Sequence, residues 1–310
     1  MKRCALQLSP ALKQAVWAGN RLSAVYGTAE PVAEAWVVSG HPNGESTVEG
    51  GPYHGKTLWQ AVLAMGKDAV AEGFDGAAFP QLIKLIDAGS PLSVQVHPDD
   101  SFASEYENSP GKTEAWWVVE AEENATLVYG LKKAVEPGEL RCAAEEGRME
   151  DLLNQVPARA GEVFFIPAGT VHAIGRGQLI AEVQQPSDVT YRLYDYNRPG
   201  ADGKPRPLHL DKAMQVACCT PQPLLPEERF PEKLSVAGLF GASRVEIRGK
   251  KSLTVDALSY AAFLGIEGCV SLTAFNETFS LEAGQCVFVP AGAGEICLEG
   301  QGQCLRFGME

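Results

Sequence analysis

GEVFFIPAGTVHAI, residues Gly161 to Ile174, decides the fold, because the chain carries it twice: it lines up without gaps against GQCVFVPAGAGEIC, Gly284 to Cys297. Each copy opens on a glycine, runs through an apolar strand-like stretch and turns at Pro-Ala-Gly. The copies part at a position that matters. His172 of the first is Glu295 in the second, and the apolar runs upstream of the second copy, SYAAFLGIEG and VSLTAFNETF, hold no counterpart of Gln95-x-His97. The second unit can therefore keep a fold without keeping a metal centre.

Working outward from the first copy, PLSVQVHPDD (Pro91 to Asp100) and KTEAWWVVEA (Lys112 to Ala121) also read as strands. Side chains repeat every second residue along a strand, so Gln95 and His97 share one face, and a barrel turns such a face inward. With Glu114 and His172 they form a set of two imidazoles, a carboxylate and an amide oxygen. That mixed set suits zinc or another borderline divalent ion and leaves positions for water or substrate. Any one of the four alone reads more readily as a hydrogen-bonded core group. Jointly they favour a site, because each sits in an apolar run with little use for polar groups, beside turns at Pro98-Asp99-Asp100 and Pro167-Ala168-Gly169.

Apolar spacing near 3.6 predicts helices over Thr57 to Ala71, Gly138 to Val156 and His209 to Cys219. The rest is short strands punctuated by Gly and Pro, a mainly β chain of barrel or sandwich type with inserted helices. PQPLLPEERFPEK, residues 221–233, has four prolines and the composition of a linker. It divides a metal-bearing unit, 1–220, from a second unit, 234–310.

With 310 residues, 45% of them hydrophobic, the chain can bury a sizeable core. No apolar run reaches the roughly 18 residues that span a bilayer, so no membrane partner is expected, and the N-terminal stretch lacks a signal-peptide core and cleavage site. A cytoplasmic address is the expectation. The eight cysteines show no C-x-x-C pair and read as reduced and structural. A formal net charge of −13 excludes a nucleic-acid partner, since phosphate backbones are bound by basic surfaces. An anionic substrate would need a local cluster of cations to overcome that field.

The order Q-x-H-P-D-D (from Gln95), K-T-E (Lys112 to Glu114), F-x-x-A-G-x-x-H-A (Phe165 to Ala173) and T-Y-R-x-Y-D-Y (Thr190 to Tyr196) resembles the class I mannose-6-phosphate isomerases in their short bacterial form. The resemblance extends to W-A-G-x-R-L (Trp17 to Leu22), E-A-W-x-x-S-G-H-P-N (Glu34 to Asn43) and F-P-x-L-I-K-L-I-D-A (Phe79 to Ala88). It implies two cupin jelly-roll β-barrel domains, the second degenerate. It implies one zinc ion per chain on Gln95, His97, Glu114 and His172, an active-site Arg192, and Lys84, Lys112 and Glu182 lining the pocket, with Lys84 and Ser93 against the substrate. The activity implied is interconversion of mannose 6-phosphate and fructose 6-phosphate through a cis-enediol, with a small sugar phosphate as the partner. The run at Trp17 reads W-A-G-N rather than W-G-G, so Trp17 is left without a role.

Moving a proton between C1 and C2 of a sugar needs a stabilised oxyanion and a base near C2. A divalent ion suits the first task. The base stays open between Glu182, Lys112 and a water on the ion. Arg192 has the planar fork that phosphate or enediolate oxygens accept, and Lys112 lies two residues from Glu114 on the same face. Two rival classes share the metal set: an iron-dependent cupin oxygenase, which the amide ligand opposes, and a non-catalytic sugar-phosphate-binding cupin. His41, His54 and His209 lie in turns or before a helix and are not ligands, and Cys218-Cys219 reads as buried at a helix end.

Overall fold

The computed structural model describes residues 3–200, 203–225 and 229–310, so part of the 221–233 segment lies outside the described residues. The chain is mainly β, as expected, and its strands form three sheets. The five-stranded sheet runs in the order Tyr191–Tyr194, Val94–Val96, His172–Ile174, Thr126–Leu131, Leu153–Pro157. The six-stranded sheet runs Val163–Ile166, Glu114–Ala121, Gln178–Gln184, Leu82–Ala88, Glu34–Ser39, Ala11–Lys13. The eight-stranded sheet holds Lys233–Val236, Phe240–Val255, Gly294–Gly308, Ala261–Ala274, Cys286–Val289, Leu6–Ser9 and Thr47–Glu49, with Glu277–Ser280 beside Ala261–Ala274. Among the described residues each sheet is open, which corrects the expectation of closed barrels.

The six-stranded sheet is the middle layer. One face packs Ile86, Trp116, Val118, Phe164 and Ile180 with Leu127, Tyr129 and Ile174 of the five-stranded sheet. Its other face packs Ile83, Leu85, Ala115, Trp117, Ala181 and Val183 with Leu6, Phe240, Phe288 and Phe307 of the eight-stranded sheet. Covered on both sides, Leu82–Ala88 and Gln178–Gln184 are buried at every residue. Any polar side chain on these strands is therefore desolvated unless it faces a cleft, and Lys84 and Glu182 are such side chains.

The repeat is structural as well as textual. Val163–Ile166 and Cys286–Val289 occupy the same positions in the two copies, and the matched glycines Gly161, Gly284, Gly169 and Gly292 all have left-handed φ, at 87°, 81°, 85° and 73°. Only glycine takes that conformation without a Cβ penalty, which is why the repeat keeps it twice. Glu295 is exposed where His172 is buried.

The helices are shorter than the periodicity predicts. Leu58–Met65 starts on a capping box between Thr57 and Gln60, then yields to a 3-10 turn, Lys67–Ala69. Pro137–Glu145 ends early because Gly147 adopts a left-handed φ of 73° and Arg148 N–H bonds back to Ala143 O at 2.8 Å, the Schellman closure. Leu152 and Val156, expected on that helix, lie in a 3-10 cap and in the strand Leu153–Pro157. The third helix runs Leu210–Val216, so Cys218-Cys219 falls just beyond it.

Asp87 pins the N-terminal segment to the middle sheet. Its buried carboxylate accepts the backbone N–H of Arg21 at 2.6 Å and of Leu22 at 3.2 Å, and Arg21 Nη1 at 3.1 Å. Asp87→Ala orphans these donors and is expected to cost about 2–4 kcal/mol, since a buried partner left unpaired loses its full desolvation penalty. Urea denaturation checks this; a midpoint equal to that of the parent would refute it.

Candidate active site and metal centre

Two rows of side chains face each other between the five- and six-stranded sheets. Strand register places Trp36, Lys84, Glu182 and Trp116 side by side across the middle sheet. Opposite, register places Arg192, Gln95, His172 and Tyr129 side by side. The rows line a cleft of about 300 Å³ whose walls include Trp36, Lys84, Ser93, Gln95, Lys112, Trp116, Glu182 and Arg192.

His97, Glu114 and His172 are fully buried, and their donor atoms lie within 4.8 Å of one another. His97 Nδ1 sits 2.9 Å from the Val189 carbonyl and His172 Nδ1 2.8 Å from the Thr170 carbonyl. A carbonyl only accepts, so each Nδ1 carries its proton and each Nε2 turns a lone pair inward. Those Nε2 atoms are 3.4 Å and 3.5 Å from the Glu114 carboxylate. Gln95 lies beside them, its amide nitrogen 3.4 Å from His172 Nε2, and a half-turn of the amide would bring its oxygen there as a fourth donor. Ligands held about 2.0–2.1 Å from a tetrahedral zinc stand roughly 3.3 Å apart, so this donor set fits such an ion.

The electrostatics agree with a ligand cluster. Burial, reinforced by the Lys112 charge, holds His97 well below its ordinary value and His172 down at about 3, so both imidazoles are neutral at neutral pH. Burial, with the neighbouring Glu182 charge, pushes Glu114 up to about 7 against the opposing pull of Lys112 and Lys84. Lys112 Nζ lies 2.9 Å from His97 Nε2 and hydrogen-bonds Glu114. A cation already occupies the edge of this cluster.

Glu182 stands differently. Burial alone would raise it, but the Lys84 and Lys112 charges outweigh burial and hold it below its ordinary value. Its Oε1 is 3.1 Å from Lys84 Nζ and its Oε2 accepts Trp116 Nε1–H at 3.0 Å. Lys84 is in turn held protonated: burial opposes its charge, and Glu182, Glu34 and Glu114 overcome that opposition.

All the residues singled out in the sequence meet at this cleft: Gln95, His97, Glu114, His172, Lys84, Ser93, Lys112, Glu182 and Arg192 line it or touch a residue that does. Sequence reading missed Trp116, whose indole N–H is shared by Glu114 Oε1 at 2.9 Å and Glu182, so it ties the candidate ligand cluster to the second carboxylate. Its signal was the Glu114-x-Trp116 alternation. Trp17, Trp36, Asp188 and Arg206 also line the cleft. His41 is drawn to its rim, with Nε2 3.6 Å from Asp188.

Comparison with known proteins bears on the whole chain. Residues 5–116 match the family description "Phosphomannose isomerase type I, catalytic domain", and residues 233–308 match "Mannose-6-phosphate isomerase, cupin domain". Mannose-6-phosphate isomerase ManA of Bacillus subtilis is 36% identical over 313 residues, covering 97% of each chain. The crystal structure of the mannose 6-phosphate isomerase from Bacillus subtilis superposes with a TM-score of 0.86 at 33% identity, over 98% of this chain and 99% of that one. A zinc-bound mannose 6-phosphate isomerase structure shares the fold, with a TM-score of 0.76 at 18% identity over 99% of each chain.

Proposed function

The chain belongs to the type I phosphomannose isomerase family, and from that premise we propose that it interconverts mannose 6-phosphate and fructose 6-phosphate through a cis-enediol, with one zinc ion held by Gln95, His97, Glu114 and His172. The observation that carries the reading is the inward convergence of three neutral or anionic donors, His97, Glu114 and His172, beside a second carboxylate that is kept ionised, Glu182. Zinc in that place would supply a Lewis acid for the sugar oxygens on C1 and C2. The donor chemistry supports zinc, and a solved isomerase of the same fold binds it.

The protein's own residues then divide the work. Glu182 is ionised, borders the cleft and is flanked by a permanent donor, so it is the group we assign to carry the proton between C1 and C2. Lys84 keeps Glu182 charged and presents an ammonium to the substrate hydroxyls. Ser93, buried on the Gln95 face, offers a hydroxyl to the same substrate. Lys112, hydrogen-bonded to Glu114 and close to His97, steadies the donor cluster and counters charge on the enediolate. Arg192 lines the cleft and brings a permanently charged group to a developing oxyanion.

Arg192→Lys retains a positive charge and removes the fork. Turnover is expected to fall by about two orders of magnitude with zinc content intact. A rise in KM alone would make Arg192 a uniform substrate binder.

The function itself is tested by incubating the zinc-loaded protein with mannose 6-phosphate in deuterated water. Fructose 6-phosphate carrying solvent deuterium is the expected product; no product, or oxygen consumption instead, would overturn the assignment in favour of a binding cupin or an iron oxygenase. We read residues 234–310 as a degenerate cupin unit, because Glu295 replaces the ligand His172, with 221–233 leading to it from 1–220; the expected clean division is corrected by Leu6–Ser9 and Thr47–Glu49, which join the sheet of the second unit. A cytoplasmic setting accords with eight free cysteines and with no helix among the described residues long and apolar enough to cross a membrane.

A further inference from the structure

A line of charged side chains leads out of the cleft from the group assigned to carry the proton. Strand register sets Glu34 opposite Ile86, Trp36 opposite Lys84 and Lys84 opposite Glu182, all of them on the cleft wall. Glu182 Oε1 lies 3.1 Å from Lys84 Nζ, and the same Nζ lies 3.7 Å from Glu34 Oε2. Side-chain exposure rises along the line, from 4% at Glu182 through 7% at Lys84 to 23% at Glu34. The outermost member is the one that meets water.

The geometry decides which way a proton can leave Glu182. Its Oε2 accepts Trp116 Nε1–H at 3.0 Å, and an indole nitrogen donates without accepting, so that oxygen is closed to exchange. Oε1 is the open oxygen, and it faces an ammonium. Trp36 sets the outer end of the line. Its Nε1–H donates to Glu34 Oε2 at 2.7 Å and its ring lies 5.1 Å from Lys84 Nζ, so one side chain fixes both the carboxylate and the cation. Burial opposes the Lys84 charge, and Glu182 does more than Glu34 to overcome that opposition. Once Glu182 has taken a proton from the sugar it no longer balances Lys84, and Glu34 is then the carboxylate left beside the ammonium.

We propose that Glu34 is the solvent port of the base: by way of Lys84 it trades the proton taken from the sugar for one from water, and so sets how much of that hydrogen is kept in the product. The proposal rests on the isomerase reading and on Glu182 as the proton carrier. Its steps balance. Glu182, protonated from C2, gives that proton to Lys84 Nζ as Lys84 gives another to Glu34. Glu34 exchanges the proton it holds with water, and the reverse passage returns a solvent proton to Glu182 for delivery to C1.

Mannose 6-phosphate deuterated at C2 and turned over in ordinary water reads the port directly, as the ratio of hydrogen to deuterium at C1 of the fructose 6-phosphate formed at low conversion. Glu34→Gln keeps an oxygen for Trp36 but takes no proton, and the ratio should fall about threefold or more. Glu34→Asp, which restores a carboxylate, should recover part of it, and Trp36→Phe, which removes the donor that aims Glu34, should lower it by a smaller factor. A merely structural role gives the opposite sign, because a loosened cleft admits water to Glu182 and raises the ratio. A folded, zinc-replete Glu34→Gln protein with an unchanged or raised ratio overturns the proposal, as does a parent whose product keeps all of the deuterium. Either result sinks the port alone, whereas absence of product from the parent overturns the isomerase reading and the port with it.

Discussion

Replacing His172 by alanine is expected to remove the metal and the activity together. His172 supplies a neutral imidazole whose tautomer is set by the Thr170 carbonyl, and it stands 3.5 Å from the Glu114 carboxylate with which it would share the ion. Losing one first ligand of a four-donor set leaves a water in its place and no gain to compensate. His97→Ala should behave alike, because its Nδ1 is anchored in the same way on Val189. Metal analysis after dialysis against a weak chelator reads the result, and full zinc content in either variant would sink the ligand assignment. The parent should also melt higher with zinc than without it, since only the folded chain presents these donors together.

Glu182→Gln is the second large effect. The amide keeps the shape of the side chain and its contact with Trp116 but cannot take a proton, so kcat should fall by about 10²- to 10⁴-fold, the usual weight of a positioned base. Zinc content should be unchanged, because Glu182 is not among the clustered donors. A kcat within about tenfold of the parent would transfer the proton-carrying role to Lys112 or to a water on the ion.

Much of the site was legible because its chemistry conflicts with its surroundings. His97, Glu114 and His172 are polar residues in strands that otherwise bury apolar ones, and such conflicts mark function. Trp116 escaped notice for the opposite reason: a tryptophan in a buried strand looks like core, and it is core, with only its N–H aimed at two carboxylates. Arg206, also on the cleft wall, lies in an irregular segment where no periodicity speaks. The repeat made the strand-turn-strand units visible, down to glycines whose left-handed backbone needs no partner to be inferred. The over-long helix from Gly138 shows the limit of periodicity, since Leu152 and Val156 keep a helical spacing that Gly147 has already interrupted. Sheet closure was beyond reach, because alternation tells which face is buried and not which strand lies alongside.

The placement of Leu6–Ser9 carries a consequence for how the molecule comes into being. That strand lies between Thr47–Glu49 and Cys286–Val289, with Leu6 opposite Phe288. A strand made early in this sequence must therefore wait for one made some 280 residues later before both of its edges are paired. Contacts so distant along the chain are slow to form, because loop closure is paid before the pairing rewards it. During synthesis the emerging N-terminal half would expose an apolar edge that its own later residues are meant to cover, and such edges recruit strands from other chains. Strands from distant parts of the sequence are thus stitched into one sheet, and removing Leu6–Ser9 or Cys286–Val289 would unravel a seam to which both contribute.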